Sequence, residues 1–321
     1  MRAMILAAGL GTRLMPLTSK VPKPLFPVYN IPIIQIIIRQ LRELSVTNLA
    51  INTHWLASQI KDYIEAQDFK DIHIDIRDES EILGTAGGIK NFESFWKDEP
   101  FFVVTADTLH NIDMVSFFDF HLRSKNLVTL ILHDYPRFNQ VELDAKGSIV
   151  GLRGERLKEP SSDVSLLAFT GIHIISPELL KEIPQGEKVD IISLYKELIH
   201  KGAAIKGVRV TGHYWAEIGS SLSYHQVHSN IYEDESEKRL NIFNDLTFPC
   251  IGPNGSVNED ARFEGYVSIG SNARIGKGCT IRDSIIWDNV RVADCLSIEN
   301  CIIAHGVNVK TDLKDGVIIG A

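Results

Sequence analysis

The stretch Met4-Ile5-Leu6-Ala7-Ala8-Gly9-Leu10-Gly11-Thr12-Arg13-Leu14, followed by Pro22-Lys23-Pro24-Leu25, decides how the rest of the chain is read. A short apolar run stops at a pair of glycines. A basic residue follows two positions later, and a proline-flanked lysine stands ten positions beyond it. Such a run reads as a strand ending in a loop without side-chain bulk, where backbone N–H groups can reach a phosphate chain. Arg13 and Lys23 could then meet the phosphate charge. The first 42 residues hold six Arg or Lys and no Asp or Glu, inside a chain of formal charge −8. A local basic excess in an acidic chain points to an anionic small molecule rather than to a nucleic-acid surface.

Outward from this loop, strand-like and helix-like segments alternate. Strands are expected at 3–8, 48–53, 72–76, 101–105, 127–133 and 166–174, and helices at 33–44, 55–66 and 115–122. Alternation of this kind predicts an α/β fold, a mostly parallel sheet with helices on both faces and ligands beyond the carboxyl ends of the strands. The Gly9–Arg13 loop and Asp107 both fall just after strands. Position 14 is Leu, so the dinucleotide pattern G-x-G-x-x-G is incomplete, and there is no P-loop.

The last third changes character. Ile251, Val257, Phe263, Ile269, Ile275 and Ile281 stand six residues apart; Ile286, Val292, Ile298, Ile303 and Val309 continue the period with two one-residue slips. This period implies three short strands per coil, each coil stacked on the one before. Two domains are expected, 1–240 and 241–321. The acidic run Glu233–Lys238 reads as a solvated helix face approaching a linker near 240–247. The coils carry no readable catalytic group, so they are expected to serve oligomer contact or solubility, and truncation near Glu237 is expected to spare the nucleotide site.

At 321 residues, with no apolar run near the roughly 18 residues needed to span a bilayer, the chain reads as a soluble, cytoplasmic protein without membrane or nucleic-acid partners. The cysteines at 250, 279, 295 and 301 form no C-x-x-C pair, which argues against zinc and for buried thiols in a reducing compartment.

The full string L-A-A-G-x-G-T-R-L-x-P-L-T with P-K-P-L resembles the signature of the sugar-1-phosphate nucleotidylyltransferases, and the C-terminal period resembles the hexapeptide left-handed parallel β-helix. The resemblance implies a Rossmann-like catalytic domain that joins an NTP to a sugar 1-phosphate and releases pyrophosphate, as a homo-oligomer. It places Leu6, Ala8, Gly9, Gly11 and Thr12 around the nucleotide, with Arg13 and Lys23 on the triphosphate. It makes Asp107, after Thr105-Ala106 where the family has Asn-Gly or Ser-Gly, a catalytic Mg²⁺ ligand. It makes Glu217, in Trp215-Ala216-Glu217-Ile218-Gly219-Ser220 where the family has W-x-D-x-G-T, the second Mg²⁺ ligand. The segment Glu79 to Gly88 resembles the base-binding L-G-T-A/G-G stretch, with Gly84 and Thr85 at the base and Glu79 as its reader. A carboxylate only accepts hydrogen bonds, so Glu79 favours guanine, which offers N–H donors on its pairing edge. The first substrate pair expected is GTP with mannose 1-phosphate, the second dTTP or UTP with glucose 1-phosphate. Lys158, in Arg156-Leu157-Lys158-Glu159-Pro160, stands near the family's Glu-Lys-Pro as the sugar-phosphate ligand, and Gly171, in Phe169-Thr170-Gly171-Ile172, lies on the strand beside the sugar. Two further readings remain open: a degenerate nucleotide-sugar sensor, motivated by Thr105-Ala106 and Glu217, and an acyltransferase site at His305. His54 reads as a strand-end packing residue.

Overall fold

The computed structural model describes residues 1–233 and 240–320, so most of the acidic run expected as a helix face lies outside the described residues. Contacts divide the chain into two compact units, each described here by itself. The first comprises Met1–Gly9, Ile38–Thr108 and Ile112–Trp215. The second comprises Leu10–Ile37, Leu109–Asn111 and the chain from Ala216 onward.

The first unit is built on a mixed sheet. Its parallel part places Arg2–Leu6 at the centre, paired in register with Asn48–Thr53 on one side and Phe101–Thr105 on the other. His73–Asp78 extends it beyond Asn48–Thr53. These strands are short apolar runs because both faces are covered: Met4, Ile5, Leu49, Ile51, Phe102 and Val103 are all fully buried. The long strand Val164–Ile175 then runs antiparallel to Phe101–Thr105 and to Val128–His133. Its first half pairs instead with Val141–Asp144, so one strand serves two neighbours on one side. The break falls at Gly171, where φ is +84°. The register with Val128–His133 shifts over the same stretch, between Phe169 and His173.

The strands and helices expected from periodicity are present. The segment Ile33–Glu43 is helical, as are Ala57–Ala66 and Val115–Ser124. Two further helices, Gly84–Lys90 and Ile191–His200, have no counterpart among the expected elements, while Ser221–Glu233 leads into the acidic run expected to close a helix.

In the second unit the C-terminal residues form a parallel β-helix whose columns follow the six-residue period. One column runs Ile251, Ile269, Ile286, Ile303, Ile318, and a second Val257, Ile275, Val292, Val309. A third runs Phe263, Ile281, Ile298, Leu313. The period slip has a structural cause. The strand Arg262–Ile269 carries a bulge between Glu264 and Val267 that the next coil lacks. Gly265 sits there at φ +65°, where a Cβ would lie 1.9 Å from Asp283 Oδ1. The bulge brings the Tyr266 hydroxyl to 2.9 Å from His225 Nδ1 on the helix Ser221–Glu233.

Within this unit the β-helix is not a separate appendage. Residues 10–37 pack directly on it. Trp287, fully buried, meets Phe26 edge-on at 5.0 Å, and its Nε1 donates to the Tyr224 hydroxyl at 3.2 Å. Tyr224 in turn donates to the Pro27 carbonyl. Asn30 Nδ2 donates to the Ile269 carbonyl at 3.0 Å. The Tyr29 hydroxyl donates to the His228 carbonyl at 2.7 Å, and burial pushes the His228 imidazole down to about 3, so the ring is neutral packing. The segment Phe26–Asn30, just after the loop that bears Arg13 and Lys23, is therefore anchored on the coils and on the helix Ser221–Glu233.

Candidate functional site

The second unit carries the basic loop. Gly11 adopts the left-handed conformation, φ 63° and ψ 28°, and starts the turn Thr12–Leu14. Left-handed φ favours glycine, and here space also demands it: a Cβ on Gly11 would lie 2.7 Å from Thr18 Cγ2 and 3.6 Å from Lys23 Cβ. Thr18 Oγ1 donates to the Gly11 carbonyl at 3.0 Å and closes the loop on itself. Lys23 opens a second turn, Lys23–Leu25, with Pro22 before it and Pro24 within it. The structure thus brings Lys23 against the Gly11 turn, as the spacing suggested. The Arg13 side chain is 66% exposed, and its Nη2 lies 2.8 Å from Glu217 Oε1.

The first unit carries the remaining candidates. Asp107 sits in a two-residue turn between the strands Phe101–Thr105 and Thr108–His110, so it is not a helix cap. Asp113, two residues ahead of the helix Val115–Ser124, accepts the Val115 N–H on its Oδ1 at 3.1 Å. Thr105 points its Oγ1 to 2.9 Å from the place a Gly171 Cβ would occupy. Gly171 is needed for that approach, and the side chain filling the space is the protein's own. Lys158 is half-buried; burial, then the charge of Lys206, lowers its ammonium pKa, with Asp144 opposing. An anionic phosphate there would relieve both.

The segment from Glu79 to Gly88 is organised differently from its sequence reading. Glu79 is 3% exposed. Its Oε1 accepts from Asn52 Nδ2 at 2.7 Å and its Oε2 from the Leu83 N–H at 2.9 Å, while its carbonyl lies 2.6 Å from His54 Nδ1. Both carboxylate oxygens are engaged within the protein, so Glu79 offers no open acceptor to a base, and the argument for guanine from this residue falls. Gly84 and Gly87 face protein backbone: their Cβ atoms would lie 2.6 Å from the Val189 carbonyl and 2.4 Å from the Glu187 carbonyl. Thr85 Oγ1 accepts the Ile191 N–H at 2.8 Å. The glycines thus let two stretches of the chain pack closely.

Sequence reasoning missed Asn52. Its Oδ1 accepts the Ala7 N–H at 3.0 Å while its Nδ2 holds Glu79, and it is 2% exposed. One side chain therefore ties the ends of three parallel strands, those at 2–6, 48–53 and 73–78. An asparagine directly after the buried apolar run Leu49–Ile51 was the available signal. Removing it leaves the Ala7 N–H and one oxygen of the Glu79 carboxylate buried without their partner, so Asn52→Ala is expected to cost about 2–3 kcal/mol in denaturant unfolding. Asn52→Asp should cost more, since two carboxylates would face each other. A loss below about 0.5 kcal/mol for Asn52→Ala contradicts the strut.

His305 lies over the Trp287 ring at 4.9 Å, with Nδ1 3.9 Å from Asp288 Oδ2. Among the described residues no group of three or more His, Cys, Asp or Glu could hold a metal, and no helix is long and apolar enough to cross a membrane.

Comparison with known proteins agrees with this layout. The family model described as nucleotidyl transferase matches residues 2–234, and that of the GMPPB C-terminal domain matches residues 248–321. A UTP–glucose-1-phosphate uridylyltransferase of Synechocystis sp. is 28% identical, over 96% of this chain and 82% of its own. Mannose-1-phosphate guanylyltransferase 1 of Arabidopsis thaliana is 25% identical, over 97% of this chain and 83% of its own. The crystal structure of HddC from Yersinia pseudotuberculosis complexed with GMP-PN superposes with a TM-score of 0.58 at 22% identity, covering 70% of this chain and 97% of that one, and shows a shared fold. The match over residues 2–234 takes in most of the chain, which belongs to the nucleotidyl transferase family.

Proposed function

We propose that this protein transfers a nucleoside monophosphate from an NTP to a sugar 1-phosphate, releasing pyrophosphate. The observation that carries the reading is the Gly11 turn, a left-handed turn with no room for a Cβ, with Lys23 packed against it and Arg13 projecting from it, in a member of this family. No protein nucleophile is needed. The sugar-phosphate oxygen attacks the α-phosphorus in line, and the chain supplies position and positive charge. Leu6, Ala8, Gly9, Gly11 and Thr12 would line the nucleotide, and Arg13 and Lys23 would hold the triphosphate and the leaving pyrophosphate. Lys158 and Gly171 would serve the sugar phosphate. Glu79, Gly84 and Thr85 would act from beneath, as the frame fixing the loop ends.

Mg²⁺ is part of the proposal. Each donor, taken by itself, is of the type such an ion uses alongside phosphate and water oxygens: Asp107, a half-buried turn carboxylate of the first unit, and Glu217 of the second, one oxygen of which accepts from Arg13. When bound, the ion would neutralise charge on the phosphates. Asp107→Asn, nearly isosteric, is expected to abolish Mg²⁺-dependent turnover with an unchanged circular dichroism spectrum. Turnover within a few-fold of the wild type removes Asp107 from the site.

GTP with mannose 1-phosphate remains the first pair to test. With Glu79 engaged, its support is the guanylyltransferase relatives and the match to the GMPPB C-terminal domain. Pyrophosphate release with GTP, UTP and dTTP against mannose 1-phosphate and glucose 1-phosphate tests the choice; a higher kcat/KM for glucose 1-phosphate with UTP or dTTP overturns it.

A further inference from the structure

Arg13 and Glu217 stand 204 residues apart in sequence and meet inside the second unit. The bond from Nη2 to Oε1 is 2.8 Å, and exposure is uneven, with 66% of the Arg13 side chain open and only 18% of Glu217. The carboxylate is thus the covered, anchored partner, and the guanidinium is the one that comes to it.

The local backbone is shaped for this contact. Gly219 has no side chain where a Cβ would lie 2.5 Å from Glu217 Oε1 and 2.9 Å from Arg13 Nη1. Its N–H and that of Ser220 both donate to Ser223 Oγ at 2.9 Å, which fixes the backbone at this point. The extra methylene of Glu, where the family has Asp, gives the carboxylate its reach toward the arginine.

An arginine bound to a carboxylate is not available to a phosphate, and a carboxylate oxygen that accepts from a guanidinium is a poor ligand for a cation, since the two positive charges repel. Each of the two partners has one anionic or cationic alternative. We infer that Glu217 holds Arg13 back from the phosphate chain until the carboxylate turns to a divalent cation, so that Arg13 is a contact for cation-loaded nucleotide only. The inference rests on the phosphate role proposed above for this loop. Glu217 is then a positioning residue for Arg13 in the unloaded protein, besides the ligand role proposed for it.

The two roles of Glu217 predict different results when the cation is removed. A residue that only binds the cation does nothing for phosphate affinity in its absence. A residue that restrains Arg13 weakens that affinity. The probe is inorganic tripolyphosphate, which carries the charge chain without a base, titrated calorimetrically into the full chain in EDTA and in Mg²⁺. In EDTA, Glu217→Gln should bind tripolyphosphate about 3–5-fold more tightly than wild type, the range of a single partly exposed ion pair. Removing a negative charge would itself favour an anion, so the Arg13→Ala background is required. There Glu217→Gln should tighten binding by less than about 1.5-fold, because no guanidinium is left to release. Gly219→Ala, which crowds both side chains, should mimic Glu217→Gln in EDTA while keeping the carboxylate. Equal tightening with and without Arg13, or none with it, overturns the restraint but leaves the phosphate role of the loop standing. Failure of the wild type to bind tripolyphosphate even in Mg²⁺ overturns the phosphate role and the restraint together.

Discussion

Lys23→Ala and Arg13→Ala are each expected to lower kcat/KM by at least ~100-fold, because each removes a charge-assisted contact that strengthens as negative charge gathers on the leaving pyrophosphate. Lys23 stands at the start of a turn, and its Cβ lies 3.6 Å from the position that a Gly11 Cβ would take, beside the Thr18 bond that closes the loop. A melting curve of each variant separates a catalytic loss from a loss of fold. The loss is expected mostly in kcat, since a ground-state phosphate contact alone would appear in KM. Lys23→Arg retains the charge but not the compact ammonium and should recover only part of the activity. Near-normal turnover in both alanine variants, with unchanged melting temperature, would take the triphosphate away from this loop.

Trp287→Ala is expected to cost about 3–5 kcal/mol of stability and to reduce turnover with it. Trp287 lies more than 250 positions from Lys23–Leu25, yet Phe26, the residue just after that turn, rests on its ring at 5.0 Å. The indole is fully buried and bonded to Tyr224, so its loss opens a large cavity under residues 10–37 and orphans a buried hydroxyl contact. The same argument reverses the expectation for truncation. Ending the chain near residue 240 strips the surface on which Tyr29, Asn30 and Phe26 pack, and the shortened chain should lose pyrophosphate release together with solubility. Thermal melting and a pyrophosphate assay on Trp287→Ala read both effects. A variant that melts within a degree or two of wild type contradicts the packing argument, and a soluble, active truncated chain contradicts the dependence of the loop on the coils.

The parts legible in the sequence were those with a short repeat or a short motif. The β-helix columns follow from residue spacing alone, because a coil that stacks on the one before must return an apolar residue to the same corner. Even its irregularity was visible as a slip in the count, though not its use, which is to carry Tyr266 to His225. The loop at Gly11 was legible because glycine, arginine and lysine occur there at close spacing. What stayed hidden depends on contacts across long separations. Arg13 with Glu217, Asn52 with Ala7 and Glu79, and Trp287 with Phe26 leave no local pattern. Glu79 was read as a base reader from its place before the Gly84–Gly88 segment, and only the fold shows both its oxygens engaged. The helix Gly84–Lys90 was missed because four residues of low helix propensity, three of them glycine, argue against it. It forms because the Val189 carbonyl accepts its Ala86 N–H and the backbone of Glu187–Val189 needs the glycines' missing side chains. Ile191–His200, by contrast, had a readable start in Asp190, whose Oδ1 accepts the Ser193 N–H at 2.9 Å.

The most direct measurement is pyrophosphate release from the full-length protein in Mg²⁺, with GTP, UTP or dTTP and either mannose 1-phosphate or glucose 1-phosphate. The account predicts pyrophosphate and nucleoside diphosphate sugar in equal amounts for at least one pair, no release when the sugar phosphate is omitted, and loss of the signal in Arg13→Ala and Lys23→Ala. Absence of pyrophosphate above background with every pair, from protein that is folded and binds nucleotide, would contradict it and leave a nucleotide-sugar sensor in its place.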